Sequence, residues 1–118
     1  MVMRCMLSLV HSHPYYPISF MHQPQIAING FGRIGRLSLR VLLQRKHANV
    51  VAINDLADAA TLAHLFKYDT NYGPFPGEVT YEENYLIVAG KRIPVFAMPD
   101  PAQLPWQALG ISTVLEAT

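Results

Sequence analysis

Residues 25–36 read QIAINGFGRIGR, an apolar alternating run that breaks into Gly30, Gly32 and Gly35 and then enters a helix-like segment with basic residues. A strand that delivers the chain through a glycine turn directly into a helix is the local plan of a dinucleotide-binding unit. Gly30 permits backbone angles that a side chain would block, and Gly32 leaves a pyrophosphate room to approach. Gly35 lets the helix pack close to the strand. Free N–H groups at the start of that helix, together with its dipole, form a site for phosphate oxygens.

Three glycines carry this reading only if the rest of a strand-turn-helix-strand unit follows and closes on an acidic residue. From Ile34 the apolar positions Leu37, Val41 and Leu42 recur at helical spacing, with Arg36, Arg40, Arg45 and Lys46 as the solvated side and cationic end. Asn49 marks the exit, and Val50, Val51, Ala52 and Ile53 suit a short strand buried on both faces. Asn54 and Asp55 end that strand. Asp55 lies twenty positions after Gly35, where a carboxylate accepts hydrogen bonds from adenosine ribose hydroxyls and repels a 2′-phosphate. NAD is therefore favoured over NADP. Taken singly, such glycines are ordinary turn residues, such an Asp is a helix cap, and such basic residues are a solvated face. Their coincidence within one unit of about thirty residues favours the nucleotide.

Composition narrows the remaining classes. Of 118 residues, 51% are hydrophobic and 14% charged, and the formal net charge is +1, which is globular, single-domain material. Near-neutral charge removes the usual argument for a nucleic-acid partner, and no segment is long and apolar enough to span a membrane. The single cysteine, Cys5, excludes an intrachain disulfide and fits a reducing, cytoplasmic compartment. It has no local histidine or helix N-terminus to activate it as a nucleophile. His11, His13, His22, His47 and His64 lack metal-ligand spacing. Residues 1–24 are rich in Met, Pro and His, carry Arg4 as their one charged residue, and suggest no element. They read as a disordered leader or as a start assigned too early, with Met21 as an alternative start.

Beyond Asp55, residues Ala59, Leu62, Ala63 and Phe66 form an apolar helical stripe with Asp58 as N-cap. Residues 69–77, DTNYGPFPG, read as a loop. GEVTYE, YLIVAG and KRIPVFA then alternate as strands, with turns at Glu83-Asn84 and Ala89-Gly90. Pro94 cannot donate to a ladder, which predicts an edge or a bulge. Asp100-Pro101 predicts the start of a short helix closed by Gly110, with Trp106 packed on the sheet. Ile111 to Leu115 reads as another strand with Glu116, Ala117 and Thr118 at its carboxyl end, and its outer edge is expected to be apolar and uncovered.

NGFGRIGR, AIND at 52–55, FKYDT at 66–70, DPAQLPW at 100–106 and the terminal VLEAT resemble, in order and spacing, the amino-terminal part of the glyceraldehyde-3-phosphate dehydrogenase family. The neighbouring erythrose-4-phosphate dehydrogenases share much of this, LADAATLAHLFKYDT in particular, but tend to carry Glu where Asp55 stands. The resemblance implies an α/β fold: a Rossmann-like, mostly parallel sheet with crossover helices and an inserted β-hairpin, truncated before the second half and the catalytic domain. It implies a partial NAD-binding domain over residues 25–118 and NAD as cofactor. By position, Asn29, Gly30, Phe31, Gly32, Arg33, Ile34 and Gly35 would surround the pyrophosphate. Asn54 and Asp55 would hold the adenosine, and Thr118 would approach the nicotinamide side. Pro99 stands where the family commonly has a basic residue near the adenine, and Asn71-Tyr72-Gly73 replaces a frequent Ser/Thr-His-Gly. The family's catalytic cysteine, base histidine and phosphate-gripping arginine belong to motifs beyond Thr118. The expectation is a cofactor-binding segment of a homotetrameric glycolytic dehydrogenase, inactive by itself. The competing expectation is a stand-alone, non-catalytic NAD-binding or interaction module.

Overall fold

The computed structural model describes residues 4–7, 23–46 and 48–118. The possible start at Met21 and the histidines His11, His13, His22 and His47 lie outside them.

The glycine turn sits between β2 (Gln25–Asn29) and α1 (Arg33–Arg45), and β3 (Asn49–Asn54) returns parallel to β2. The next crossover carries α2 (Ala59–Lys67), capped by Asp58, whose carboxylate accepts from the Thr61 N–H at 2.8 Å. Hydrogen bonds from the Thr61 backbone N–H and its side-chain hydroxyl hold the Asp58 carboxyl below its ordinary pKa. After α2 come a two-residue pair, β4 (Tyr68–Asp69) with β5 (Gly73–Pro74), and an antiparallel run, β6 (Val79–Glu82), β7 (Tyr85–Val88) and β8 (Lys91–Phe96). β9 (Thr113–Glu116) lies parallel to β2 on its other side. β1 (Arg4–Leu7) pairs antiparallel with β9, giving the order β1-β9-β2-β3-β8-β7-β6. The four central strands are parallel and the antiparallel pairs lie outside them, a Rossmann-like α/β sheet.

Both helices cover one face. Ile28, Phe31, Leu39, Ile53, Leu62, Phe66, Leu86 and Ile93 form its core, while Ala27, Ala52 and Val114 on the other face meet Phe96, Trp106 and Ile111. Trp106 stands edge-on to Phe96 with ring centroids 6.2 Å apart, as a sheet-packing indole should. The turns at Glu83-Asn84 and Ala89-Gly90 join the strands as expected, since Glu82 faces Tyr85 and Val88 faces Lys91.

Several local expectations are corrected. The face of α1 that sinks into the core carries Gly35, Leu39 and Arg40, not the stripe of Leu37 and Val41. The helix is apolar on two flanks: Ile34, Leu37 and Val41 instead line an open apolar groove of about 420 Å³ with Ile26, Thr113 and Leu115, and Leu42 lies between, lining the groove and packing against the core. Arg40, expected in solvent, is buried because carbonyls await it there: Nη2 donates to Gly73 O at 2.6 Å and Phe66 O at 3.4 Å, and the guanidinium lies over the Phe66 and Phe75 rings. Helix α1 ends at Arg45, with Lys46 in a left-handed cap at φ 58°, so Asn49 opens β3 and is not the exit.

Pro94 is in neither an edge strand nor a bulge. It pairs with Tyr85 on one side, and the β3 ladder begins only at Val95 on the other, so no ladder bond requires its missing N–H. The helix expected from Asp100 to Gly110 is a single 3-10 turn, Pro101–Gln103, followed by turns, because Pro105 removes a donor after one turn. Residues 1–24, expected to hold no element, contribute β1, which occupies the β9 edge expected to be open.

The burial of Leu39 predicts that Leu39→Ala lowers stability by about 2–4 kcal/mol in urea unfolding, whereas Val41→Ala, on the groove side, costs roughly 0.5 kcal/mol or less. The reverse order would put the core on the wrong flank of α1.

Candidate functional site

The parallel strands β9, β2 and β3 end together, and the chain leaves each at the same edge of the sheet. Glu116, Asn29 and Asn54 are the last residues of these strands and stand side by side in register. Backbone bonds extend the ladder one step further: Gly30 N–H donates to Asn54 O at 2.8 Å, Ala117 N–H to Asn29 O at 2.8 Å and Asp55 N–H to Phe96 O at 2.8 Å. The turn above them is fixed tightly. Gly30 has φ +94°, and a Cβ there would lie 2.7 Å from Ala117 O. A Cβ on Gly35 would lie 2.2 Å from Gly30 O, so the helix reaches the strand only without one.

Asp55 spans the mouth of this edge. One carboxylate oxygen accepts from the Phe31 N–H at 2.8 Å and the other from the Ala57 N–H at 3.0 Å, tying the glycine turn to the end of β3. Each oxygen retains a lone pair for a further donor such as a ribose hydroxyl. Between the turn and the segment after β8 lies a cleft of about 510 Å³, a size suited to a small organic ligand.

The cleft brings together Asn29, Gly30, Gly32, Asn54, Asp55, Pro99 and Thr118 among the expected site residues. Four others fall outside its wall. Phe31 is buried against Phe66, with ring centroids 5.9 Å apart, and contributes only its N–H. Arg33 is an exposed first residue of α1, Ile34 lines the apolar groove, and Gly35 serves the helix–strand contact. Leu56, Met98, Pro101 and Ala117 also line the cleft and were not anticipated. Leu56 directly follows Asp55, Ala117 directly precedes Thr118, and Met98 and Pro101 flank Pro99 closely. Adjacency was the available signal.

The side chains of Asn29 and Asn54 are 5% exposed each and their amides are engaged below the cleft. Asn29 Nδ2 donates to both oxygens of Glu116 at 2.8 and 3.0 Å, and Asn54 Nδ2 donates to Asn29 Oδ1 at 2.8 Å and Met98 O at 3.0 Å. Met98 N–H returns a bond to Asn54 Oδ1 at 2.9 Å. These asparagines form the floor.

A family model described as "Glyceraldehyde 3-phosphate dehydrogenase, NAD binding domain" matches residues 24–118. The chain belongs to that family. NAD is the cofactor for which the domain is defined, and the cleft is compatible with it: the helix N-terminus and glycine turn suit an anion, and the Asp55 carboxylate beside the turn can accept from hydroxyl donors. The chain is 59% identical over 96 residues to glyceraldehyde-3-phosphate dehydrogenase from Thermotoga maritima, covering 80% of this chain and 29% of the relative. It is 58% identical over 94 residues to the Clostridium acetobutylicum enzyme of that name (80% and 28% covered) and 56% identical over 97 residues to that of Pseudomonas aeruginosa (80% and 29% covered). The chain thus spans less than a third of the length of these glyceraldehyde-3-phosphate dehydrogenases.

If the Asp55 carboxylate is what ties the two loops, Asp55→Ala accelerates amide hydrogen exchange at Phe31 and Ala57 by about tenfold or more without nucleotide, and leaves the Leu86 amide in the far antiparallel strands unchanged. Unchanged exchange at Phe31 would show that the turn holds itself.

Proposed function

We propose that this chain is the adenosine- and pyrophosphate-holding part of an NAD-dependent, phosphorylating glyceraldehyde-3-phosphate dehydrogenase acting in cytoplasmic carbohydrate metabolism. The observation that carries the reading is the convergence, at one cleft, of the α1 N-terminus, the glycine turn and the Asp55 carboxylate at the end of β3.

In this reading Gly30, Gly32 and the first N–H groups of α1 hold the pyrophosphate. Asp55 receives the ribose hydroxyls, and the Met98–Pro99 segment forms the adenine wall where a basic side chain is replaced by Pro99. Thr118 closes the opposite end, toward the nicotinamide. Asn29 and Asn54 support the surface. NAD, when bound, supplies the hydride acceptor for an aldehyde-oxidising site; none of the residues assigned here forms or breaks a bond of the substrate. Glyceraldehyde 3-phosphate is preferred to erythrose 4-phosphate because Asp55, not Glu, ends β3 and because the similar proteins carry the former name.

Asp55 both clamps the loops and faces the ribose, so a loss of affinity alone does not separate the two roles. The ratio does. For Asp55→Ala, calorimetric titration is expected to show NAD binding weakened by about tenfold while NADP binding changes little, because loss of the carboxylate removes repulsion of the 2′-phosphate. Equal loss for both nucleotides would reduce Asp55 to a loop clamp. The unsubstituted chain should bind NAD at roughly micromolar Kd or weaker, since only part of the dinucleotide is contacted.

A further inference from the structure

The glycine turn and Asp55 account for the rim of the cleft, but its floor depends on a residue outside the site as read from the sequence. Glu116 is half-buried at the end of β9 and accepts from Asn29 through both carboxylate oxygens. Asn29 passes its carbonyl to Asn54, and Asn54 closes a two-bond ring with the main chain of Met98. We infer that Glu116 is a positioning residue for the nucleotide, acting through the Asn29 and Asn54 amides to hold the Met98–Pro99 wall at the far side of the cleft. The inference rests on the NAD reading of that cleft.

An ionised carboxylate only accepts, so Glu116 requires the NH2 end of Asn29 to face it and leaves the Asn29 carbonyl for β3. Asn54 must then present its NH2 toward Asn29, and its remaining proton and its carbonyl match Met98 O and Met98 N–H. Every polar atom of two nearly buried amides is used, and one orientation satisfies all of them. Among the described residues no further hydrogen bond ties the exposed Met98–Pro99 segment to the sheet, whereas Gly30 and Ala117 are held by main-chain bonds as well. The adenine wall is therefore the part of the cleft most dependent on the amide chain. Thr118 Oγ1 also donates to Glu116 at 3.2 Å, which connects the other end of the cleft to the same carboxylate.

The test uses the whole chain, Glu116→Ala and Glu116→Gln, with adenosine monophosphate as probe and the Met98 backbone amide as reporter in nitrogen–proton spectra. The monophosphate occupies only the adenosine side. Positioning predicts that Glu116→Ala weakens it by about threefold to tenfold and shifts the Met98 amide, although neither contacts Glu116. Glu116→Gln keeps a carbonyl acceptor for Asn29 and should restore both readings to within about twofold of the original. A folded Glu116→Ala chain with unchanged Met98 resonance and unchanged affinity would overturn the proposal. So would a Gln variant as impaired as the Ala variant, since charge rather than the amide chain would then matter. Should the Ala variant not fold, the original chain still decides: the side-chain NH2 protons of Asn29 and Asn54 must exchange far more slowly than those of exposed Asn71 and Asn84, and equal rates would refute the chain of bonds. Absence of monophosphate binding to the original chain would count against the NAD reading, leaving the Met98 shift to judge the positioning role.

Discussion

A methyl group at residue 35 would lie 2.2 Å from the carbonyl oxygen of Gly30, and one at residue 30 would lie 2.7 Å from that of Ala117. Three strands, a turn and a helix meet at this point with main chain against main chain. The close approach carries α1 onto the face of β2, sets the direction in which the first helical N–H groups emerge and brings Phe31 within reach of Asp55. It also lets the Gly30 N–H complete the ladder to β3. The cleft is the space left above this contact, and its polar character follows from the strand ends that must stop there.

The packing beneath distributes the work between two kinds of force. Leu39, Phe66, Leu62 and Ile53 hold both helices to the sheet, each fully buried aliphatic or aromatic side chain contributing on the order of 1.5–3 kcal/mol. Burial of this kind has no directional preference and cannot place a loop to within a fraction of an ångström. Hydrogen bonds do that here: Arg40 holds the β4–β5 loop through Gly73, Asp55 holds the glycine turn, and the amides of Asn29 and Asn54 hold Met98. At the far edge, Lys91 donates to Asn49 and burial alone pushes its ammonium below the ordinary pKa.

Local chemistry was legible wherever one residue had one reason to be present. Asp58 before an apolar helical stripe reads as a cap and is one, and Gly30 and Gly35 stand where main chain meets main chain. Choices that depend on what lies across the interface were not legible. Helix α1 has two apolar flanks, and only the arrival of α2 decides that Leu39 rather than Leu37 is inside. Arg40 looks like a surface cation until the carbonyls of Phe66 and Gly73 are placed around it. Pro94 is compatible with an interior strand only because β3 pairs from Val95 onward, and the pairing of Arg4–Leu7 with β9 joins residues more than a hundred positions apart. Glu116 belongs to the same class: its role exists only once Asn29 stands beside it.

The central claim is that the nucleotide lies at the glycine turn and reaches across to Met98 and Thr118. Nitrogen–proton spectra of the chain titrated with NAD test it directly. The account requires the largest shifts at Gly30, Gly32, Asp55, Leu56, Met98 and Thr118, with the groove residues Leu37 and Val41 unaffected. Shifts centred on Leu37, Val41 and Leu115, or none at saturating nucleotide, would contradict it.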